Sequence, residues 1–136
     1  MNPRSLMIAA CLALATPATA GPAGPNETVA LNFTRAIPNI PGKSLMATEV
    51  TFPPGGTSAP HHHAKSAFLY VYVVSGSIES QVEGEPARVY KAGESFYENP
   101  GAHHVAARNM SPTQPAKLLA VFVVDSGDKV LTTFDK

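Results

Sequence analysis

The chain has 136 residues, with ten basic and ten acidic side chains and no formal net charge. That balance, without any basic run, argues against nucleic acid and anionic membrane surfaces as partners. Hydrophobic residues make up 44% of the chain, the content of a folded globular domain and not of a disordered one.

The first segment reads as a targeting signal. Met1–Ser5 carries Arg4 and no acid, Leu6–Ala15 is a short apolar run, and Ala18-Thr19-Ala20 is a small-x-small cleavage pattern. A signal peptide over 1–20, cleaved after Ala20, is predicted, and with it a secreted, periplasmic protein free of the membrane after cleavage. The apolar run is too short to span a bilayer. Ile8-Ala9-Ala10-Cys11 resembles a lipobox, but only Leu6, Met7 and Ile8 precede the cysteine as an apolar run, so a lipoprotein is not the reading. Cys11 is the sole cysteine; without it the mature chain has no thiolate ligand and no disulfide. Cleavage leaves 116 residues with nine basic and ten acidic side chains, the size of one domain.

Gly21–Glu27 is a Pro/Gly-rich stretch and is predicted as a flexible leader (21–27) to a single domain over 28–136. Short strands punctuated by turns follow. Val29, Leu31 and Phe33 alternate with polar residues, and Leu45–Phe52 runs into Pro53-Pro54-Gly55-Gly56. Phe68–Val74 ends at Ser75-Gly76, and Ile78–Val82 turns at Glu83-Gly84-Glu85. Arg88–Tyr90, Ser95–Glu98, Val105–Arg108 and Lys117–Val124 complete the set, each closed by a glycine, proline or asparagine turn. No long window of the mature chain has helical periodicity without a breaker. This spacing predicts an all-β sandwich or barrel. Phe68–Val74 and Leu118–Val124 are almost continuously apolar, which predicts cover on both faces, by packed sheets or by a second subunit. Phe52, Phe68 and Phe122 are assigned to the core. Tyr70, Tyr72 and Gln81 are weaker candidates for a pocket, with strand core or surface the plainer reading of each.

All five histidines fall in two clusters, His61-His62-His63 and His103-His104. Imidazole is the commonest ligand for zinc, iron, nickel and copper, so the clusters read either as halves of a metal site or as two exposed polar loops. In a strand, side chains two apart share a face, so His61 and His63 point one way and His62 the other.

Gly55, five residues, His61-x-His63, a strand ending at Gly76, and then Gly93 and Asn99-Pro100-Gly101-Ala102-His103-His104 together resemble the paired motifs of the cupin superfamily. The resemblance covers Gly55 to Arg108. It implies a cupin double-stranded β-helix, a jelly-roll barrel, with His61, His63 and His104 as ligands of one divalent transition metal. His62 and His103 are then expected to face outward or to support the site from behind. Three departures stand out. The motif glutamate is missing, for no acid lies between His63 and Ile78. Asn99 replaces the first proline of the second motif, and Asn109 lies one residue beyond the expected asparagine. A set of three imidazoles and no thiolate favours iron, zinc, nickel or copper over manganese and leaves coordination positions open, as in catalytic sites.

Phe96-Tyr97-Glu98 is similar to a stretch in the three-histidine, diketone-cleaving dioxygenase cupins, where a glutamate sits near the iron. Glu98 is therefore the candidate catalytic carboxylate, able to hold a water, orient a substrate, act as a base or take the vacant fourth ligand position; a turn-capping rim residue is the plainer alternative. The resemblance implies a mononuclear metal enzyme acting on a small organic molecule, first by oxygen-dependent cleavage, with isomerase or lyase chemistry next. The competing reading is a non-catalytic module that binds a metal or small ligand. A homodimer is expected from the resemblance and from the apolar strands.

Overall fold

The structure is a computed structural model and describes residues 27–136; the signal-peptide segment and most of the leader lie outside the described residues. Eleven strands run in order: β1 (Thr28–Ala36), β2 (Lys43–Phe52), β3 (Thr57–Ser58), β4 (His61–His63), β5 (Phe68–Ser75), β6 (Ser77–Val82), β7 (Arg88–Lys91), β8 (Ser95–Glu98), β9 (His103–Asn109), β10 (Ala116–Asp125) and β11 (Thr132–Phe134). No helix occurs among the described residues. One sheet has the order β1-β2-β10-β5-β8; the other has β11-β4-β9-β6-β7, with β3 also paired to β9. The pairings are antiparallel. The result is the double-stranded β-helix that the paired motifs imply. The sequence pattern missed β3 and β11, whose Thr-Ser and Thr-Thr-Phe sequences are too short and too polar to stand out.

Period-two alternation places the core between the sheets. Leu69, Val71 and Val73 of β5 point inward, as do Ala116, Leu118, Ala120, Phe122 and Val124 of β10, to meet Phe52 and Ile78. The expectation of cover on both faces of β5 fails within one chain: Phe68, Tyr70, Tyr72 and Val74 are exposed. Phe68 is therefore not core; it is 41% exposed and stacks on exposed Tyr97 at 5.9 Å. Strand parity carries this correction, because inward Leu69 forces Phe68 and Tyr70 outward. Phe52 and Phe122 are buried as expected.

Two glycines shape the barrel. Gly76 has φ +76°, and a Cβ there would stand 2.7 Å from the Ala116 Cβ, so the β5–β6 turn passes too close to β10 for any side chain. Gly101 has φ +74° and follows Pro100, while the Ala102 N–H donates to the Asn99 carbonyl at 3.0 Å. That is the pattern of a type II turn, and it feeds the chain into β9.

Candidate metal centre

β4 and β9 are neighbours, with His61 opposite His104 and His62 opposite His103. The parity of β4 sends His61 and His63 inward, where both are buried, and leaves His62 exposed. On β9 the register slips: Gln81 pairs Ala106 and Val82 pairs His104, so Val105 is a bulge residue. A bulge reverses the facing of everything beyond it. It lets His104 point inward and still turns Ala107 and Asn109 inward. The one-residue displacement of Asn109 in the sequence is thereby absorbed. Buried Asn109 pins the loop after β9: its Nδ2 donates to the carbonyls of Pro53 at 2.9 Å and Gln114 at 2.8 Å, and its Oδ1 accepts from the Ser111 N–H at 3.0 Å.

The fourth group comes from the opposite sheet. Glu98 closes β8 at the sheet edge, beside Leu69, and is only 2% exposed. Its Oε2 lies 3.2 Å from His63 Nε2 and its Oε1 3.4 Å from His104 Nδ1. One candidate ligand atom from each of His61, His63 and His104 lies within 4.8 Å of the others. Glu98 adjoins two of these histidines, so the structure brings together all four residues singled out in the sequence. The rim-residue alternative for Glu98 fails on its burial.

Supporting contacts fix the rings. The His61 Nδ1–H donates to the Ala59 carbonyl at 2.7 Å, which leaves Nε2 as the ring's free lone pair. Ser80 Oγ and His104 Nε2 are hydrogen-bonded at 2.9 Å. Both ring nitrogens of His63 and the Oε2 of Glu98 are buried without a hydrogen-bond partner; the 3.2 Å approach of His63 to Glu98 lacks the alignment of a hydrogen bond. Orphaned buried groups of this kind are costly and need a partner, and a divalent cation supplies one. The donor set therefore fits a metal ion. Imidazole and carboxylate donors of this kind suit a divalent transition metal.

The electrostatics agree with neutral rings. Burial drives the His61 pKa down to about 4, helped by the neighbouring imidazoles and opposed by its hydrogen bond to Ala59. Burial also lowers that of His104, against the pull of Glu98. For Glu98, burial pushes upward, but the nearness of His63, His104 and His61 outweighs it and holds the carboxyl below the usual range.

These groups line a cavity of about 260 Å³, walled by Val50, Phe52, Leu69, Val71, Phe96, Leu118 and Phe122 among others. It exceeds the ~150 Å³ void that accepts benzene. Tyr70, Tyr72 and Gln81 do not line it; the tyrosines are on the outer face of β5 and Gln81 Nε2 donates to the Glu85 carbonyl at 3.2 Å. The sequence reading did not find Glu27 and Ser58, whose hydroxyl donates to Glu27 Oε1 at 2.7 Å at the cavity wall, nor Phe134, whose ring meets His61 at 5.6 Å. Lone residues outside a motif carried no signal for them.

Residues 48–122 match the cupin domain family, and the chain belongs to that family. No curated protein matches it. Among solved structures it is similar to an oxalate oxidase in complex with the substrate analogue glycolate, at 24% identity and TM-score 0.62, over 81% of this chain and 55% of that one. A protein of Klebsiella pneumoniae with a double-stranded β-helix domain aligns at 20% identity and TM-score 0.63, over 85% of this chain and 90% of that one. KdgF from Halomonas sp. aligns at 24% identity and TM-score 0.57, over 79% and 86%. The chain thus spans about half the length of the oxalate oxidase, and likenesses at this identity show the fold.

Proposed function

We propose that this cupin is a mononuclear metal enzyme that acts on a small organic molecule, with His61, His63 and His104 as ligands and Glu98 as the working carboxylate. One observation carries the reading: Glu98 Oε2 is buried without a partner beside the three histidines, at the wall of an apolar cavity. A divalent ion held by His61, His63 and His104 would supply Lewis acidity to an oxygen group of the bound molecule. Glu98, whose carboxyl is held below the usual carboxylate range beside the histidines, accepts a proton from the bound molecule or orients a water. The apolar walls exclude bulk water and strengthen both interactions. Oxygen-dependent cleavage is the first reading; proton abstraction leading to elimination or isomerisation needs the same base and no oxygen. A secreted, periplasmic location, inferred from the signal-peptide pattern of residues 1–20, and a homodimer belong to the proposal. A non-catalytic metal- or ligand-binding module is the alternative, in which Glu98 would serve only to complete the coordination of an ion.

The test is a set of variants in tag-free protein, followed by elemental analysis and by turnover on a panel of small carbonyl and hydroxy acids with and without oxygen. The His61→Ala, His63→Ala and His104→Ala proteins should lose the interior ion. The Glu98→Gln protein should stay folded, keep that ion, and lose most of any turnover found, on the order of the 10²-fold or more that one general base supplies. Wild-type rate in Glu98→Gln removes it from the mechanism; loss of the ion makes it the fourth ligand. Undiminished turnover without oxygen removes oxygen-dependent cleavage.

A further inference from the structure

The same ladder that aims three histidines inward aims two outward. His62 and His103 are cross-strand partners, their rings stacked at 4.0 Å with planes 10° apart. β11 lies against β4 with Thr133 opposite His62, so Asp135, two residues on, falls on the same outer face. Its backbone N–H donates to the Pro60 carbonyl at 3.1 Å, which holds it in place. Asp135 Oδ2 lies 2.9 Å from His103 Nε2, and Oδ1 lies 3.9 Å from His62 Nε2.

We propose that His62, His103 and Asp135 form a second, outward-facing site for a divalent transition-metal ion, taken here as zinc or copper. Candidate ligand atoms of the three lie within 4.8 Å of one another. In a tetrahedral zinc site, bonds of about 2.0–2.1 Å place ligand atoms about 3.3 Å apart. The 2.9 and 3.9 Å carboxylate–imidazole separations straddle that value; because imidazole lone pairs lie in the ring planes, binding one ion at both rings also requires His62, half-exposed at the surface, to rotate out of its stack on His103. Glu83 provides a further feature of a metal-bound histidine: its Oε2 lies 3.5 Å from His103 Nδ1. A carboxylate behind the far ring nitrogen orients the ring and raises its basicity toward an ion at Nε2. Water completes the coordination, since His62 and Asp135 are half-exposed. The site lies back to back with the interior one and draws on none of its ligands. It also ties the end of β11, and with it the cavity-lining Phe134, to the β4–β9 ladder.

Equilibrium dialysis of the tag-free full chain against zinc at pH 8, with elemental analysis, tests this. Copper(II) titration followed by electron paramagnetic resonance gives a second readout. Wild type should bind two equivalents and show two copper signals. The Asp135→Ala and His103→Ala proteins should each keep one equivalent, with the outer site weakened at least tenfold, at unchanged circular dichroism. The His61→Ala protein should keep the outer equivalent alone. If wild type saturates at one equivalent that His61→Ala removes, the cluster is an ion pair only and the proposal fails; if Asp135→Ala still binds two with undiminished affinity, the second ion is not held by this cluster and the proposal fails as well. One equivalent lost from His103→Ala and retained in His61→Ala upholds the outer site and overturns the interior assignment.

Discussion

His61 donates its Nδ1 hydrogen to Ala59 and has its pKa pushed down to about 4, chiefly by burial. The unfolded chain holds that imidazole near its ordinary 6.5, so between these values the unfolded state binds more protons. Stability from the neutral ring is therefore fully present above about pH 6.5 and is lost as pH falls toward about 4. His104, lowered in the same direction by burial, adds to the slope. Glu98, whose carboxyl is depressed in the fold, gives stability present above its ordinary value and lost as pH falls below it. All three act in one sense. Chelator-treated protein should melt at progressively lower temperature from pH 6.5 down to pH 4, and His61→Phe should flatten the upper part of that curve. A melting temperature constant across this window would show that His61 is not buried neutral.

The strand elements carry the geometry on which those residues depend. Val105 is the bulge of β9, and without it His104 and Asn109 would face opposite ways. At the other end of the barrel, Gly76 marks a near-contact of turn and strand. Gly76→Ala combines a positive φ, costing about 1–2 kcal/mol, with a clash at 2.7 Å on the Ala116 Cβ, costing about 1–3 kcal/mol. Urea unfolding should show a loss of roughly 2–5 kcal/mol. Gly84 has φ +82° with nothing near its missing Cβ, so Gly84→Ala should lose only the conformational part. Equal losses in the two variants would mean that the approach to Ala116 relaxes freely.

At the scale of the whole molecule, two sheets without a thiol cross-link rest on their apolar interior and, under our proposal, on the interior ion. An ion bound only by the folded state stabilises it by about 2.7 kcal/mol when free metal is a hundred times Kd. For a domain of this size that is a shift of roughly 10 °C. Chelation, with metal loss confirmed, should lower the melting temperature by that order; an unchanged curve would count against an occupied interior site. The outer face of β5 presents Phe68, Tyr70, Tyr72 and Val74 beside Tyr97, a row of exposed apolar and aromatic side chains of the kind that marks interfaces. The homodimer of our proposal should use it: sedimentation should give twice the chain mass, and Tyr70→Glu with Tyr72→Glu should give the monomer. A monomeric wild type removes the dimer.

Most of the strands, the barrel class and the inward pair His61 and His63 were legible in the sequence. The strands and the shared face of the two histidines follow from local rules, since turn residues end strands and alternation sets faces; the inward aim of that face came from the resemblance to the cupin motifs. The fourth member of the site was visible only as a possibility. Glu98 stands thirty-five residues after His63, and only the packing of β8 against the opposite sheet brings its carboxylate between His63 and His104. Period two says which way a side chain leans and not what it meets, so Phe68 read as core and proved exposed. The Val105 bulge, the Glu27–Ser58 pair, the Phe134 wall and the outer cluster around Asp135 were likewise decided by tertiary structure. Each depends on which strands become neighbours and in what register, and non-local pairing leaves no periodic trace in a single sequence.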